Sequence, residues 1–118
     1  MHKSILLTLL LVACSSDGLS DSTKAKDLTD PEIKEFCGEL AAEHPEKTVD
    51  CGGGLKITVG STQAECEMET NTLIPMCEAT LGDFRACADA IAALSATQLC
   101  TSQTPPTACT KVFACSND

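Results

Sequence analysis

The sequence contains no tyrosine, no tryptophan and only three phenylalanines among its 118 residues. Aromatic side chains bury the largest areas in protein cores and interfaces, so a core of aliphatic side chains alone would be marginal here. Cations are also scarce, since eight lysines and arginines stand against seventeen acidic residues and give a net charge of −9. An acidic chain without a basic cluster repels nucleic acid and anionic lipid headgroups, which excludes nucleic acid as a partner.

Long apolar runs are absent as well. The longest run, Ile5–Ala13, has nine residues and follows a short basic head at Lys3. A helix of that length spans about 14 Å, less than half of the roughly 30 Å hydrocarbon core of a bilayer. The mature chain is therefore expected to have no transmembrane helix, and the run is typical of an export signal.

The end of this run carries a known pattern. Leu11-Val12-Ala13-Cys14 resembles the lipobox of bacterial lipoproteins. The resemblance implies that residues 1–13 are a signal peptide, that Cys14 is lipidated with fatty acids such as palmitate, and that the protein is anchored in the cell envelope. Ser15 stands where an Asp would mark inner-membrane retention, so the resemblance implies the outer membrane of a Gram-negative bacterium. The alternative is an ordinary signal cleaved further along, with Cys14 discarded or left free.

The remaining cysteines form an even set. Once Cys14 is assigned to the lipid, eight are left, and an even number in an exported chain predicts four disulfides and no free thiol. They are Cys37, Cys51, Cys66, Cys77, Cys87, Cys100, Cys109 and Cys115. No Cys-x-x-Cys spacing occurs, so neither a thioredoxin-like redox motif nor a common zinc site is indicated. We predict no metal and no cofactor.

Capping signals and apolar periodicity predict an all-α fold, a small disulfide-stapled bundle of three or four short helices. Residues 14–28 are predicted to form the acylated cysteine and a flexible tether, because Ser15–Asp27 contains one large apolar residue, Leu19. The helical domain is predicted to occupy residues 29–118. Its helices are expected from Thr29 to Pro45, from Thr62 to Thr70, from Thr80 to Leu94, and from Thr104 to Cys115. Glu46–Gly60 is predicted to be a loop, in which Leu55–Val59 alternates like a strand but has no partner.

Disulfide pairing follows in part from this arrangement. The third and fourth helices share a short connection, which favours an antiparallel pair. That geometry predicts Cys87–Cys115 and Cys100–Cys109. The other four cysteines are assigned without a geometric argument as Cys37–Cys66 and Cys51–Cys77.

Catalytic groups are sparse. His44 is the only histidine after the signal and lies at a predicted helix end, where it interacts favourably with the helix dipole. Glu65, Glu67 and Glu69 are expected on different helix faces as a solvated acidic surface, with weak calcium binding as the alternative. Asp83 is assigned to a helix N-terminus. Asp83 and Asp89 are expected on different helix faces, so they are not predicted to form a catalytic pair of carboxylates. Gly52-Gly53-Gly54 lacks the Lys-Ser/Thr of a phosphate loop.

The segment from Cys77 to Cys87 and the ending from Pro106 to Cys115 resemble small cysteine-rich bacterial lipoproteins of unassigned function. The resemblance implies an envelope location and a helical fold without implying an activity. We therefore expect a lipid-anchored, non-enzymatic structural or protein-interaction module, with an envelope protein as its possible partner. The alternative is a disulfide-rich inhibitor or effector that acts on external proteins.

Overall fold

The computed structural model describes residues 19–101 and 104–116 of the chain. The predicted signal peptide 1–13 and the lipidated Cys14 lie outside the described residues. In chain order the elements are a 3-10 turn Ala25–Asp27, α1 Asp30–Glu43, β1 Lys47–Gly52, β2 Leu55–Val59, α2 Gln63–Asn71, α3 Leu81–Ala92, α4 Ala96–Thr101, a 3-10 turn Thr107–Cys109, and α5 Thr110–Phe113.

The first three helices begin where their capping residues predict. Each of α1, α2 and α3 follows a threonine whose hydroxyl accepts the backbone N–H three residues later, while the acid at that later position accepts the threonine N–H. The pairs are Thr29–Glu32, Thr62–Glu65 and Thr80–Asp83. Hydrogen bonds from Thr29 and Thr62, led by the backbone N–H, lower the pKa values of Glu32 and Glu65. The sequence thus fixes these three starts locally.

The prediction of an all-α fold is wrong, because β1 and β2 form an antiparallel hairpin in the region predicted to be a loop. Val49 lies opposite Ile57 in the register, and a bulge separates Asp50 from Gly52. Val49 and Cys51 on β1 and Ile57 and Val59 on β2 are half-buried, so the two strands share one partly covered apolar face. Lys47–Gly52, which was predicted to be part of a loop, is the partner strand of Leu55–Val59. The fold is mainly helical with one two-stranded sheet in the part of the chain described.

The C-terminal part also differs from the predicted single fourth helix. The helix α4 was not predicted, although Ser95 and Gln98 form a capping box at its start, with Gln98 N–H donating to Ser95 Oγ at 3.1 Å and Ser95 N–H to Gln98 Oε1 at 2.8 Å. Beyond it the predicted fourth helix is reduced to the 3-10 turn and the single turn of α5. These short pieces pack against α3, but they are not the single continuous helix that was predicted beside it.

All eight cysteines after residue 14 form disulfides, but three of the four predicted pairs are wrong. The bonds are Cys37–Cys66, Cys51–Cys100, Cys77–Cys115 and Cys87–Cys109. The prediction of Cys87–Cys115 and Cys100–Cys109 assumed a continuous fourth helix beside α3. The prediction of Cys51–Cys77 took no account of the hairpin to which Cys51 belongs. Instead, the unpredicted helix α4 places Cys100 against β1. Only Cys37–Cys66 coincides with the predicted pairing.

The buried core is small and rich in sulfur. Of the eleven buried hydrophobic residues in the described part of the chain, six are cysteines. Phe36 and Leu81 are the largest fully buried side chains apart from cysteine, and the ring of Phe36 meets that of Phe84 edge-on at 6.2 Å. With so few aromatic residues, the disulfides fill the interior that larger side chains would otherwise occupy.

The segment Leu19–Leu28 packs on this core, so the predicted flexible tether and the domain boundary at residue 29 are wrong for these residues. Its backbone pairs with the start of α3, since Ala25 N–H donates to Ala79 O at 3.0 Å and Leu81 N–H donates to Thr23 O at 2.9 Å. Ala25 is only 2 % exposed. The prediction failed because one buried alanine and a run of backbone hydrogen bonds order this polar segment, which hydropathy alone does not register.

Arg85 ties the same segment to the helices. Its Nε and one terminal nitrogen donate to the two carboxylate oxygens of Glu39 at 2.9 and 3.2 Å, and it also contacts Asp21. A further N–H donates to Leu19 O at 3.1 Å, and the guanidinium lies 5.4 Å from the ring centre of Phe36. The hydrogen bond to Glu39 raises the pKa of Arg85 further above its usual value. One side chain therefore connects α1, α3 and the N-terminal segment.

Lowering the pH should loosen this segment through Glu78. Hydrogen bonds from Lys24 and then Lys26, the latter 3.0 Å away, lower the pKa of Glu78 to about 2. Because the folded-state pKa lies below the ordinary value of about 4.5, the ion pairs stabilise the fold fully above pH 4.5 and are lost between about 4.5 and 2. An NMR titration should show the low pKa, together with faster amide exchange at Ala25 over that range. A Glu78 carboxyl that titrates near 4.5, or a Glu78→Gln variant with the same exchange profile, would contradict this.

Candidate functional site

An open cavity of about 830 Å³ lies between the end of α1, the base of the hairpin, α2, α3 and the C-terminal turn. Its apolar lining comes from separate elements. Leu40 belongs to α1, Leu73 follows α2, Phe84 and Ile91 lie on α3, and Val112 and Phe113 lie on α5. Cavities of this size with mainly apolar walls are the usual form of ligand sites.

The apolar residues of the cavity are incompletely covered. Leu40, Leu73, Phe84, Ile91 and Val112 are half-buried, and Phe113 is 50 % exposed. In a closed core these side chains would be fully buried, each with a gain of about 1.5–3 kcal/mol relative to full exposure. Part of that gain remains available to a molecule that fills the cavity.

Charged groups around the cavity are mostly acidic. Glu43, Glu46 and Glu69 belong to its lining, and Lys47 is the one cationic side chain of that lining in the described residues. His44 also lines the cavity, and its Nε2 lies 2.9 Å from Oδ1 of Asp89 on α3. The cavity is therefore apolar inside and carries more negative than positive groups.

The predicted candidates occupy several different places. His44 ends α1 as expected, with its N–H donating to Leu40 O at 2.8 Å, but its ring also joins α1 to α3 through Asp89. Glu65 caps α2, Glu67 accepts from Gln63 at 2.9 Å, and Glu69 lines the cavity. The three glutamates thus lie apart, as their spacing predicts.

Asp83 caps α3 as predicted. Gly52 ends β1, Gly53 and Gly54 form the hairpin turn, and the three glycines have φ angles of 88°, 61° and 84°. Within residues 19–101 and 104–116, no group of three or more histidine, cysteine or acidic side chains has the arrangement of a metal site. In the same ranges every cysteine is disulfide-bonded. The chemistry that the cavity offers is apolar contact with an acidic surround.

The sequence did not reveal the cavity. Leu40, Phe84 and Ile91 belong to the apolar stripes that predicted α1 and α3, and periodicity assigned them to a filled core. The usable signal was the scarcity of large side chains, which leaves too little volume to fill the space between the elements.

Gly60 closes the base of the hairpin beside the cavity, and its replacement tests this geometry. A Cβ at Gly60 would lie 2.6 Å from Pro45 O at a φ of 83°, whereas Gly53, at a φ of 61°, has open space around it. Both alanine variants should lose stability through the left-handed backbone, by about 1–2 kcal/mol. Gly60→Ala should lose about 1 kcal/mol or more beyond Gly53→Ala because of the added clash. Equal midpoints in urea unfolding would contradict this.

None of the helices in the described ranges is long and apolar enough to span a membrane.

In the comparisons with known proteins, no family model matches the chain, and neither a curated protein nor a solved structure shows significant similarity. The properties of the site therefore follow from its own geometry.

Proposed function

We propose that the protein is a lipid-anchored, non-enzymatic interaction module of the bacterial cell envelope, and that its cavity receives part of an envelope protein. The observation that carries the proposal is the open apolar cavity, whose half-buried Leu40, Phe84 and Ile91 gain burial when a partner covers them. Four disulfides support it, because a cross-linked frame loses little conformational entropy on binding.

The anchor is proposed on the lipobox resemblance. Acylated Cys14 would hold the module at the membrane, since two or more acyl chains anchor stably whereas one chain binds only marginally. The outer membrane of a Gram-negative bacterium is the proposed location. Intact mass spectrometry of protein extracted from membranes should show cleavage before Cys14, the mass of the acyl chains, and the loss of eight hydrogens from four disulfides. A mass that retains Met1 would refute the anchor.

The interaction is tested by photo-crosslinking in intact cells. A benzoyl-phenylalanine placed at Phe113, which lines the cavity, should give a light-dependent adduct with an envelope protein. The same residue at Leu55 is the matched control, because Leu55 is similarly exposed, at 56 % against 50 %, and does not line the cavity. Absence of an adduct at Phe113, or equal adducts at both positions, would refute the cavity as the interaction site.

A second pair of variants distinguishes blocking of the cavity from a general loss of structure. Ala88 lines the cavity, whereas Ala86 lies on the same helix outside it. Ala88→Phe should abolish the Phe113 adduct by filling the space, and Ala86→Phe should leave it intact. An adduct that survives in Ala88→Phe, with the Ala86→Phe control unchanged, would show that the partner contacts Phe113 from outside the cavity.

The inhibitor alternative has one feature in its favour. The disulfide Cys51–Cys100 holds the exposed hairpin turn to α4, and a cross-linked exposed turn suits binding to another protein's groove. Stoichiometric inhibition of an extracellular protease that is lost in Leu55→Ser would support this function over the first. Absence of inhibition across a panel of serine and cysteine proteases would remove it.

A further inference from the structure

We infer that the segment held by the cavity has apolar side chains at its centre and basic residues at its ends. The inference rests on the proposed function and adds the chemistry of the partner. Its first support is the match of shape and polarity: Phe84, Ile91 and Val112 come from two helices and meet in one cavity of about 830 Å³. That space accommodates several aliphatic or aromatic side chains and leaves the polar ends of a segment outside.

The second support is charge. Glu43, Glu46 and Glu69 line the cavity against the single cation Lys47 in the described lining. His44 does not offset this excess, because its ring is already held by Asp89 at 2.9 Å. Acidic groups around an apolar cavity attract a basic segment and repel an acidic one.

The third support is the position of the other cations. Lys24 and Lys26 pair with Glu78, and Arg85 pairs with Glu39 and Asp21. These ion pairs lie on the N-terminal segment and around the start of α3, and none of these three cations lines the cavity. The remaining cations of the described residues, Lys34, Lys56 and Lys111, do not line it either. Little of the negative charge near the cavity is therefore neutralised within the protein. A lysine or arginine of the partner provides the neutralising positive charge.

The test uses the full acylated protein in phosphatidylcholine nanodiscs, with empty nanodiscs subtracted. Three labelled probes are compared by fluorescence anisotropy: acetyl-Lys-Leu-Phe-Leu-Lys-amide, acetyl-Glu-Leu-Phe-Leu-Glu-amide and acetyl-Lys-Ser-Ser-Ser-Lys-amide. We expect the first to bind about tenfold or more tightly than each of the others at about 0.15 M salt, and the charge preference to shrink at about 1 M salt.

Matched charge reversals locate the effect. Glu43 and Glu35 are exposed residues of the same helix, and only Glu43 lines the cavity. Glu43→Lys should weaken the Lys-Leu-Phe-Leu-Lys probe about fivefold, whereas Glu35→Lys, with the same change in net charge, should alter it less than about twofold. Glu69→Lys serves as a second cavity variant and should behave like Glu43→Lys.

Each of the other outcomes contradicts a specific part of the inference. Equal binding of the Lys and Glu probes overturns the basic ends, and equal binding of the Lys-Ser probe overturns the apolar centre. Equal losses in Glu43→Lys and Glu35→Lys would place the effect in the net charge of the protein. If no probe binds while Phe113 still gives its adduct, the segment chemistry is wrong and the proposed function stands. If the adduct is also absent, both fail.

Discussion

Replacing Cys77 and Cys115 by alanine should destabilise the protein more than replacing Cys51 and Cys100, although the second pair closes the longer loop. The sequence separations are 38 and 49 residues. Loop-closure entropy assigns both bonds about 4 kcal/mol, and the difference between them is only a few tenths of a kcal/mol. Chain entropy alone therefore predicts nearly equal losses.

The difference in burial between the two disulfides should make their stability losses unequal. Cys77 and Cys115 are 1 % and 2 % exposed and pack with Ala79, whereas Cys51 and Cys100 are half-buried. Removing two buried sulfurs leaves a cavity in a core that has little else to collapse into it, which adds about 1–2 kcal/mol. We expect a loss of about 5 kcal/mol for Cys77/Cys115→Ala and about 3–4 kcal/mol for Cys51/Cys100→Ala.

Thermal unfolding followed by circular dichroism measures the difference, with free-thiol titration to confirm that the other three bonds remain. Complete reduction is the reference, because four bonds at about 2–4 kcal/mol each match or exceed the net stability of a domain this size. A lower midpoint for Cys51/Cys100→Ala than for Cys77/Cys115→Ala would show that the hairpin connection, and not the buried sulfur, holds the fold together.

Replacing Arg85 by methionine should clearly destabilise the fold, because Arg85 joins α1, α3 and the N-terminal segment. The variant keeps the packing on Phe36 and removes the hydrogen bonds to Glu39, Asp21 and Leu19 O. Hydrogen bonds to charged groups contribute about 1.5–3 kcal/mol, and the partly buried Glu39 loses its guanidinium partner. We expect a loss of about 2–3 kcal/mol, less than for a fully buried pair because the site is partly solvated.

The loss of stability in Arg85→Met should also be localised to one region of the protein. Amide exchange should accelerate first in Leu19–Leu28, since Arg85 ties that segment to α1 and α3. Arg85→Lys should recover only part of the stability, because an ammonium cannot reproduce the two parallel bonds to Glu39. Lys111→Met removes an exposed cation of the same sign and should be nearly neutral. If Arg85→Met unfolds at the same midpoint as Lys111→Met, the network is not stabilising.

Local signals predicted the helices well where a cap was present. Thr29–Glu32, Thr62–Glu65 and Thr80–Asp83 each mark a helix start, because a capping box is completed within four residues. The same signal at Ser95–Gln98 marks the start of α4, a helix that apolar periodicity did not predict. The strand pattern of Leu55–Val59 was recognised, but its partner was not, since a hairpin depends on pairing between two segments that are each ambiguous alone.

Non-local features were predicted poorly for a related reason. Three cysteine pairs were wrong because pairing depends on where helices lie relative to each other, and an unpredicted six-residue helix was enough to redirect Cys100. The order of Leu19–Leu28 depends on Arg85 and Ala79, which are more than fifty residues away along the chain. Hydropathy within the segment carries no information about such partners.

By itself, the sequence determined the starts of α1, α2 and α3, the presence of four disulfides and the acidic surface, because capping, cysteine number and charge are properties of short stretches or of composition. It also set the resemblance to a lipoprotein signal, on which the proposed anchor depends. Only the tertiary structure decided the hairpin, the disulfide partners, the docking of Leu19–Leu28 and the open cavity. The physical reason is packing: with three phenylalanines and no larger side chain, the elements converge without filling the space between them, and the volume left over is a property of their arrangement in three dimensions.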